Sequence, residues 1–166
     1  HRRAPAQAPD RAAGRDPPGR GPSQAPPGAW RLPRVTLVDT SVWIDHFLGR
    51  PRADGLTTIL EANEVFLHPW VLGELALGHL GPDRAAVLTD LRHLPEAPVI
   101  ADHEVLDLIE TRKLPGRGIG WVDAQLVAST LVTSARLWTM DKRLVSVAEE
   151  VGLATSTPDD RNETAR

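Results

Sequence analysis

VTLVDTSVWIDHFLG, residues 35–49, decides how the chain folds. Its first five residues form a short, largely β-branched run, as expected for a strand buried on both faces. The run passes straight into SVWIDHFL, a short helical stretch closed by Gly49. A strand feeding a helix in this way opens a β-α-β unit, so Asp39 falls at a strand's carboxyl end.

The same alternation repeats along the chain. Residues 52–62 read as a helix and EVFLH (64–68) as a second strand. Pro69 opens the next helix, where its missing N–H costs least. That helix sets Val71, Leu72, Leu75 and Leu80 at roughly helical spacing. Pro82 opens a fourth helix through about His93, followed by a short strand near Pro98–Ile100. An amphipathic helix runs from Asp102 to Leu114 and stops at Pro115-Gly116. GRGIG (116–120) makes a tight loop before the helix DAQLVASTLVTSA, residues 123–135. The strand RLWT (136–139), the helix DKRLVSVAEEV (141–151) and a last short strand near Leu153–Thr155 complete the pattern. Short strands alternating with helices predict an α/β fold, with helices on both faces of a parallel sheet.

Composition confines this pattern to one domain at residues 34–156. Residues 1–33 are rich in Pro, Gly, Ala and Arg without hydrophobic period, and read as a disordered tail. A role in RNA binding through their arginines is open. Residues 157–166 read as a frayed end. The tail carries six Arg against two Asp, a charge of +4; the remainder carries 13 basic and 20 acidic side chains, −7. An acidic domain is a poor partner for nucleic acid unless its carboxylates converge on a cation, which inverts the local field. The chain has no cysteine, which excludes disulfides, thiolate metal sites and cysteine nucleophiles. No apolar run approaches the ~18 residues of a bilayer span, and no secretory h-region is visible. A cytoplasmic protein is expected.

Active groups of parallel sheets lie beyond the carboxyl ends of strands. Asp39 and Asp141 each follow a strand, and Asp123 follows the Gly-rich loop. Glu74 sits one turn into the Pro69 helix among Leu72, Leu75, Ala76 and Leu77, where a buried charge is costly unless paired. Four such carboxylates without basic partners would repel, and a hard divalent cation would resolve the repulsion. Each aspartate also has a plainer reading as a helix cap, and Glu74 as a residue on an exposed face.

VDTSVWID (38–45), GELALG (73–78), GIGWVDAQLVAST (118–130) and LWTMDKRL (137–144) resemble the successive motifs of PIN-domain ribonucleases, most of all the VapC-type toxins of bacterial type II toxin–antitoxin pairs. The resemblance spans about residues 35–155. It implies a three-layer α/β/α sandwich on a central parallel sheet, commonly dimeric. Asp39 and Asp123 match the main metal ligands, with Glu74 and Asp141 completing the acidic pocket and Thr40 or Ser41 supplying a supporting hydroxyl. It further implies Mg²⁺- or Mn²⁺-dependent hydrolysis of RNA to a 5′-phosphate and a 3′-hydroxyl. Such toxins are held inactive by a VapB-type antitoxin that feeds a segment into the acidic groove.

Arg112, Lys113, Arg117, Lys142 and Arg143 can contact phosphate at the rim or belong to solvated helix faces. Trp121, two residues before Asp123, can stack a base, whereas Trp43 and Trp138 read as core. The histidines His46, His68, His79, His93 and His103 fall on separate elements and read as surface or packing residues. A haloacid-dehalogenase phosphatase needs a second acid where Ser41 stands, and a Rossmann cofactor site needs a Gly-rich turn after the first strand. The remaining rival is a catalytically silent PIN-like module that binds RNA or protein.

Overall fold

The computed structural model describes residues 35–155. Both expected tails lie outside that range. Three strands make one parallel sheet: β1 Thr36–Val38, β2 Val65–Phe66 and β3 Arg136–Trp138, in the order β2-β1-β3. Central β1 pairs Thr36 with Val65 on one side and Arg136 on the other, and is buried throughout. From β1 to β2 the chain steps one way across the sheet; from β2 to β3 it steps back over β1. Right-handed crossovers then put the two connections on opposite faces, which yields the three-layer sandwich.

The first connection holds α1 (Thr40–Phe47), a 3₁₀ turn (Pro51–Ala53) and α2 (Gly55–Glu61). The second holds α3 (Pro69–Leu77), α4 (Arg84–Leu91), α5 (Asp102–Thr111) and α6 (Trp121–Thr133); α7 (Lys142–Glu150) follows β3. Gly49, at φ +63°, takes the left-handed turn that ends α1. Pro69 is the first residue of α3, and the His68 imidazole caps that helix by accepting the Trp70 N–H at 3.1 Å. One core cluster gathers Leu37, Val42, Leu75, Leu126, Trp138 and Leu144, each at most 1% exposed. Each fully buried leucine there contributes roughly 1.5–3 kcal/mol.

Some boundaries differ from the sequence reading. α4 begins at Arg84 because Pro82 and Asp83 form the preceding turn, with the Asp83 carbonyl accepting from Val87. α6 begins two residues before Asp123. No strand forms at Pro98–Ile100: a single parallel bridge, Leu67 to Glu96, stands there instead. The ladder stops because its next rung would need an N–H from residue 69, which is Pro69 and already opens α3. The Gln125 side chain then replaces it, accepting the Ile100 N–H at 3.2 Å and donating to the Ile100 carbonyl at 3.0 Å. Ser129 Oγ donates to the Pro98 carbonyl at 2.6 Å. The final strand is likewise one bridge, Leu137 to Thr155.

Candidate active site

Asp39 extends the ladder past β1, its N–H donating to the Trp138 carbonyl at 2.9 Å. It is only 6% exposed. Ser41 Oγ donates to its Oδ2 at 2.6 Å and Thr139 Oγ1 at 2.8 Å; the Ser41 N–H is more distant at 3.4 Å. Among the described residues no hydrogen bond reaches its Oδ1. The same hydroxyls join β1 to the end of β3. Ser41 Oγ accepts the Met140 N–H at 3.0 Å, and Thr139 Oγ1 accepts the Asp141 N–H at 3.0 Å.

Asp141 caps α7, its Oδ1 accepting the Arg143 N–H at 2.8 Å. Asp123, the third residue of α6, reaches back so that its Oδ2 accepts the Gly120 N–H at 2.7 Å. Glu74 lies midway along α3, where Thr40 Oγ1 donates to its Oε2. That bond spans the contact between α1 and α3. The apolar neighbours of Glu74 do not bury it. Val71 and Leu75 turn into the core, while Glu74 faces out in line with Leu77, which is 92% exposed.

Asp123 is the acid on which the charges of the other three act. Burial pushes its carboxyl above the usual range and the Gly120 N–H pulls it down; the charges of Asp39, Asp141 and Glu74 push it up further. Among the described residues no lysine or arginine pairs with any of the four. The ion pairs there join Arg50 and Arg52 to Asp45, and Arg117 to Glu150. The acids do not close into a finished cage, since no three carboxylates or imidazoles among the described residues stand at metal-ligating spacing.

At the rim, Arg117 is engaged by Glu150, and Arg112, Lys113 and Lys142 are exposed. Arg143 lies across the Gly-rich loop: a Cβ on Gly118, itself at φ +76°, would come within 3.0 Å of Arg143 Cδ. Trp121 is half-buried and meets Trp70 of α3, with ring centroids 6.4 Å apart and planes inclined at 55°. Trp43 and Trp138 are core residues at 2% and 0% exposure, as expected. His68 is fully buried, and burial lowers its pKa to about 4. The sequence reading did not single out Thr139 or Trp70. Their signals were present: a threonine two residues before Asp141, and an indole one helical turn before Glu74.

A parallel three-strand sheet with acids gathered past the carboxyl ends of β1 and β3 defines the class, and the chain belongs to the PIN-domain family, whose description "PIN domain" matches residues 36–150. It is 48% identical over 121 residues to Ribonuclease VapC32 of Mycobacterium tuberculosis, found in two strains; the match covers 72% of this chain and 95% of the relative. The solved structure of FitAcB from Neisseria gonorrhoeae superposes with a TM-score of 0.51 at 22% identity, covering 75% of this chain and 98% of that one. That likeness bears on the fold alone.

Proposed function

We propose that this chain is the toxin of a type II toxin–antitoxin pair, a divalent-metal-dependent endoribonuclease. The observation that carries the reading is the placement of Asp39 and Asp141 just past the ends of β1 and β3, linked through Thr139, with Asp123 subject to their charge and to that of Glu74. It occurs in a chain 48% identical to a protein named a ribonuclease.

The donor set suits a hard cation such as Mg²⁺ or Mn²⁺. Mg²⁺ is commonly held by one or two carboxylates and keeps several waters, which agrees with acids grouped but not closed into a cage. Asp39 and Asp123 would ligate directly, with Glu74 and Asp141 acting through water. A bound cation supplies Lewis acidity toward the phosphate and a water of lowered pKa. Ser41 and Thr139 hold Asp39 in orientation, and the Gly120 N–H fixes Asp123. Thr40 leaves Glu74 Oε1 free to accept a proton from the attacking water. Attack would break the P–O3′ bond, with the leaving 3′ oxygen taking up a proton from solvent, so that one fragment ends in a 5′-phosphate and the other in a 3′-hydroxyl. In this reading the exposed Arg143, Lys142, Arg112 and Lys113 would meet phosphates.

Partners in this reading are RNA, a VapB-type antitoxin and a second copy of the chain. Exposed apolar side chains such as Leu48, Leu106 and Val132 support protein partners. Among the described residues no helix is long and apolar enough to cross a membrane; a cytoplasmic site of action belongs to the proposal. The open spacing of the acids also suits the rival reading, a silent module that binds RNA or protein.

Cleavage of RNA in Mg²⁺ or Mn²⁺, with and without EDTA, tests the assignment. Cleavage should vanish with chelator and with Asp39→Asn or Asp123→Asn, both of which keep side-chain volume while removing a ligand charge. Undiminished cleavage in excess chelator would overturn it. Calorimetry that finds no metal binding, together with no cleavage, selects the silent module.

A further inference from the structure

The outward face of α3 has features that internal packing does not require. Trp70, Gly73, Glu74 and Leu77 recur at three- and four-residue spacing and are all exposed, so they share one stripe of the helix. Trp70 is large and apolar yet 36% exposed. Gly73 is in mid-helix, where glycine is the least favourable residue after proline. A Cβ built there meets nothing within 4 Å, and its backbone is not in the left-handed region. The protein's own packing therefore gives no reason for glycine at this position. Clearance for something approaching from outside does.

We infer that this stripe is the track for single-stranded RNA, with Trp70 stacking an unpaired base beside the scissile phosphate and Gly73 letting the sugar–phosphate backbone lie close to α3. The inference rests on the ribonuclease reading and adds to it the residues that hold the strand. Glu74 follows Trp70 by one turn, so a base on Trp70 places its neighbouring phosphate toward the four acids. A base cannot be sandwiched between Trp70 and Trp121, because rings 6.4 Å apart and inclined at 55° leave no parallel slot. Trp121 packs against the small Val105, Ala124 and Ala128 cluster between α5 and α6, and from there braces the Trp70 ring. Trp70 is thus the stacking residue and Trp121 a positioning residue. An indole face accepts any base, so the track provides affinity with little sequence preference. The bare acids repel phosphate, so binding through base faces matters more here than in a basic groove.

The test uses the full chain and two labelled single-stranded RNAs of equal length, one of mixed sequence and one with abasic riboses, bound in EDTA so that nothing is cut. Wild type should prefer the base-bearing strand. Trp70→Ala should lose that preference, binding it roughly 5- to 150-fold more weakly, the range of base–aromatic stacking. Trp70→Phe should retain most of it. Gly73→Leu should raise the melting temperature, since leucine favours helix, yet weaken binding of both strands by blocking the backbone. Equal wild-type affinity for the two RNAs, or unchanged binding by Trp70→Ala or Gly73→Leu, overturns the track and leaves the stripe to a protein partner. A parallel cleavage assay in Mg²⁺ keeps the two readings apart. Wild-type cleavage with indifferent variants removes the track alone, whereas neither cleavage nor binding by wild type removes both.

Discussion

Asp39, Asp123 and Asp141 each give one carboxylate oxygen to a local donor and keep the other without a hydrogen bond among the described residues. A helix cap and a metal ligand need different oxygens, so the two readings of these aspartates are compatible. His68 has a single role, and it is one that pH controls. Its Nδ1 accepts the Trp70 N–H, while its Nε2 is buried with no partner among the described residues. Charging the ring would put a proton on Nδ1 and remove the cap of α3. Burial lowers the folded pKa to about 4, below the ordinary value of about 6.5. A lowered pKa contributes stability that is fully present above about 6.5 and is lost as pH falls toward about 4. The loss is on the order of 3 kcal/mol at most. Asn at position 68 can still cap the helix but cannot titrate. The melting temperature of His68→Asn should therefore fall less than that of wild type between pH 6.5 and 4. Parallel curves for the two proteins would show that His68 does not titrate with folding.

Among the elements, strands were easier to place than to extend. The β-branched run before Asp39 announced β1, and RLWT announced β3, because buried strands carry their signature locally. Pro98–Ile100 looked like another, and nothing local to it says that Gln125 and Ser129, on α6, take over its hydrogen bonding. In the sequence Glu74 stands out by its apolar neighbours. Its connection to the other acids comes instead from Thr40 and from its charge at Asp123. Likewise Thr139 reaches Asp39 across 100 positions, a pairing that no local pattern records. The Gln125 pin makes an element-scale prediction. Gln125→Ala removes both bonds to Ile100 and leaves its N–H and C=O to find water, at a cost of about 2 kcal/mol. Hydrogen exchange at the Ile100 amide should quicken beyond what the lower global stability explains. Unchanged protection there would mean that another group satisfies it.

At the scale of the whole molecule, the alternation of elements made the fold class legible, while the strand order β2-β1-β3 emerges only when distant segments pair. The charge distribution was legible from the start: +4 in residues 1–33 and −7 in the rest. That division has a consequence for RNA. The folded domain holds every residue of the proposed site, so chemistry should not need the tail. The six tail arginines can still add phosphate contacts of no sequence preference, each releasing counterions and steepening the salt dependence of binding. A protein beginning at Arg34 should fold, and should cleave RNA at the full rate once substrate saturates. Its affinity should be weaker than that of the full chain at low salt. The two should converge as salt rises, because screening shortens the reach of exposed charge to about 10 Å at 0.1 M. Affinity measured for both proteins across a salt series should thus give a shallower slope for the shorter one. Identical slopes would remove the arginines from RNA binding. Loss of cleavage by the shorter protein at saturating RNA would instead make residues 1–33 part of the catalytic unit, against the division drawn from composition.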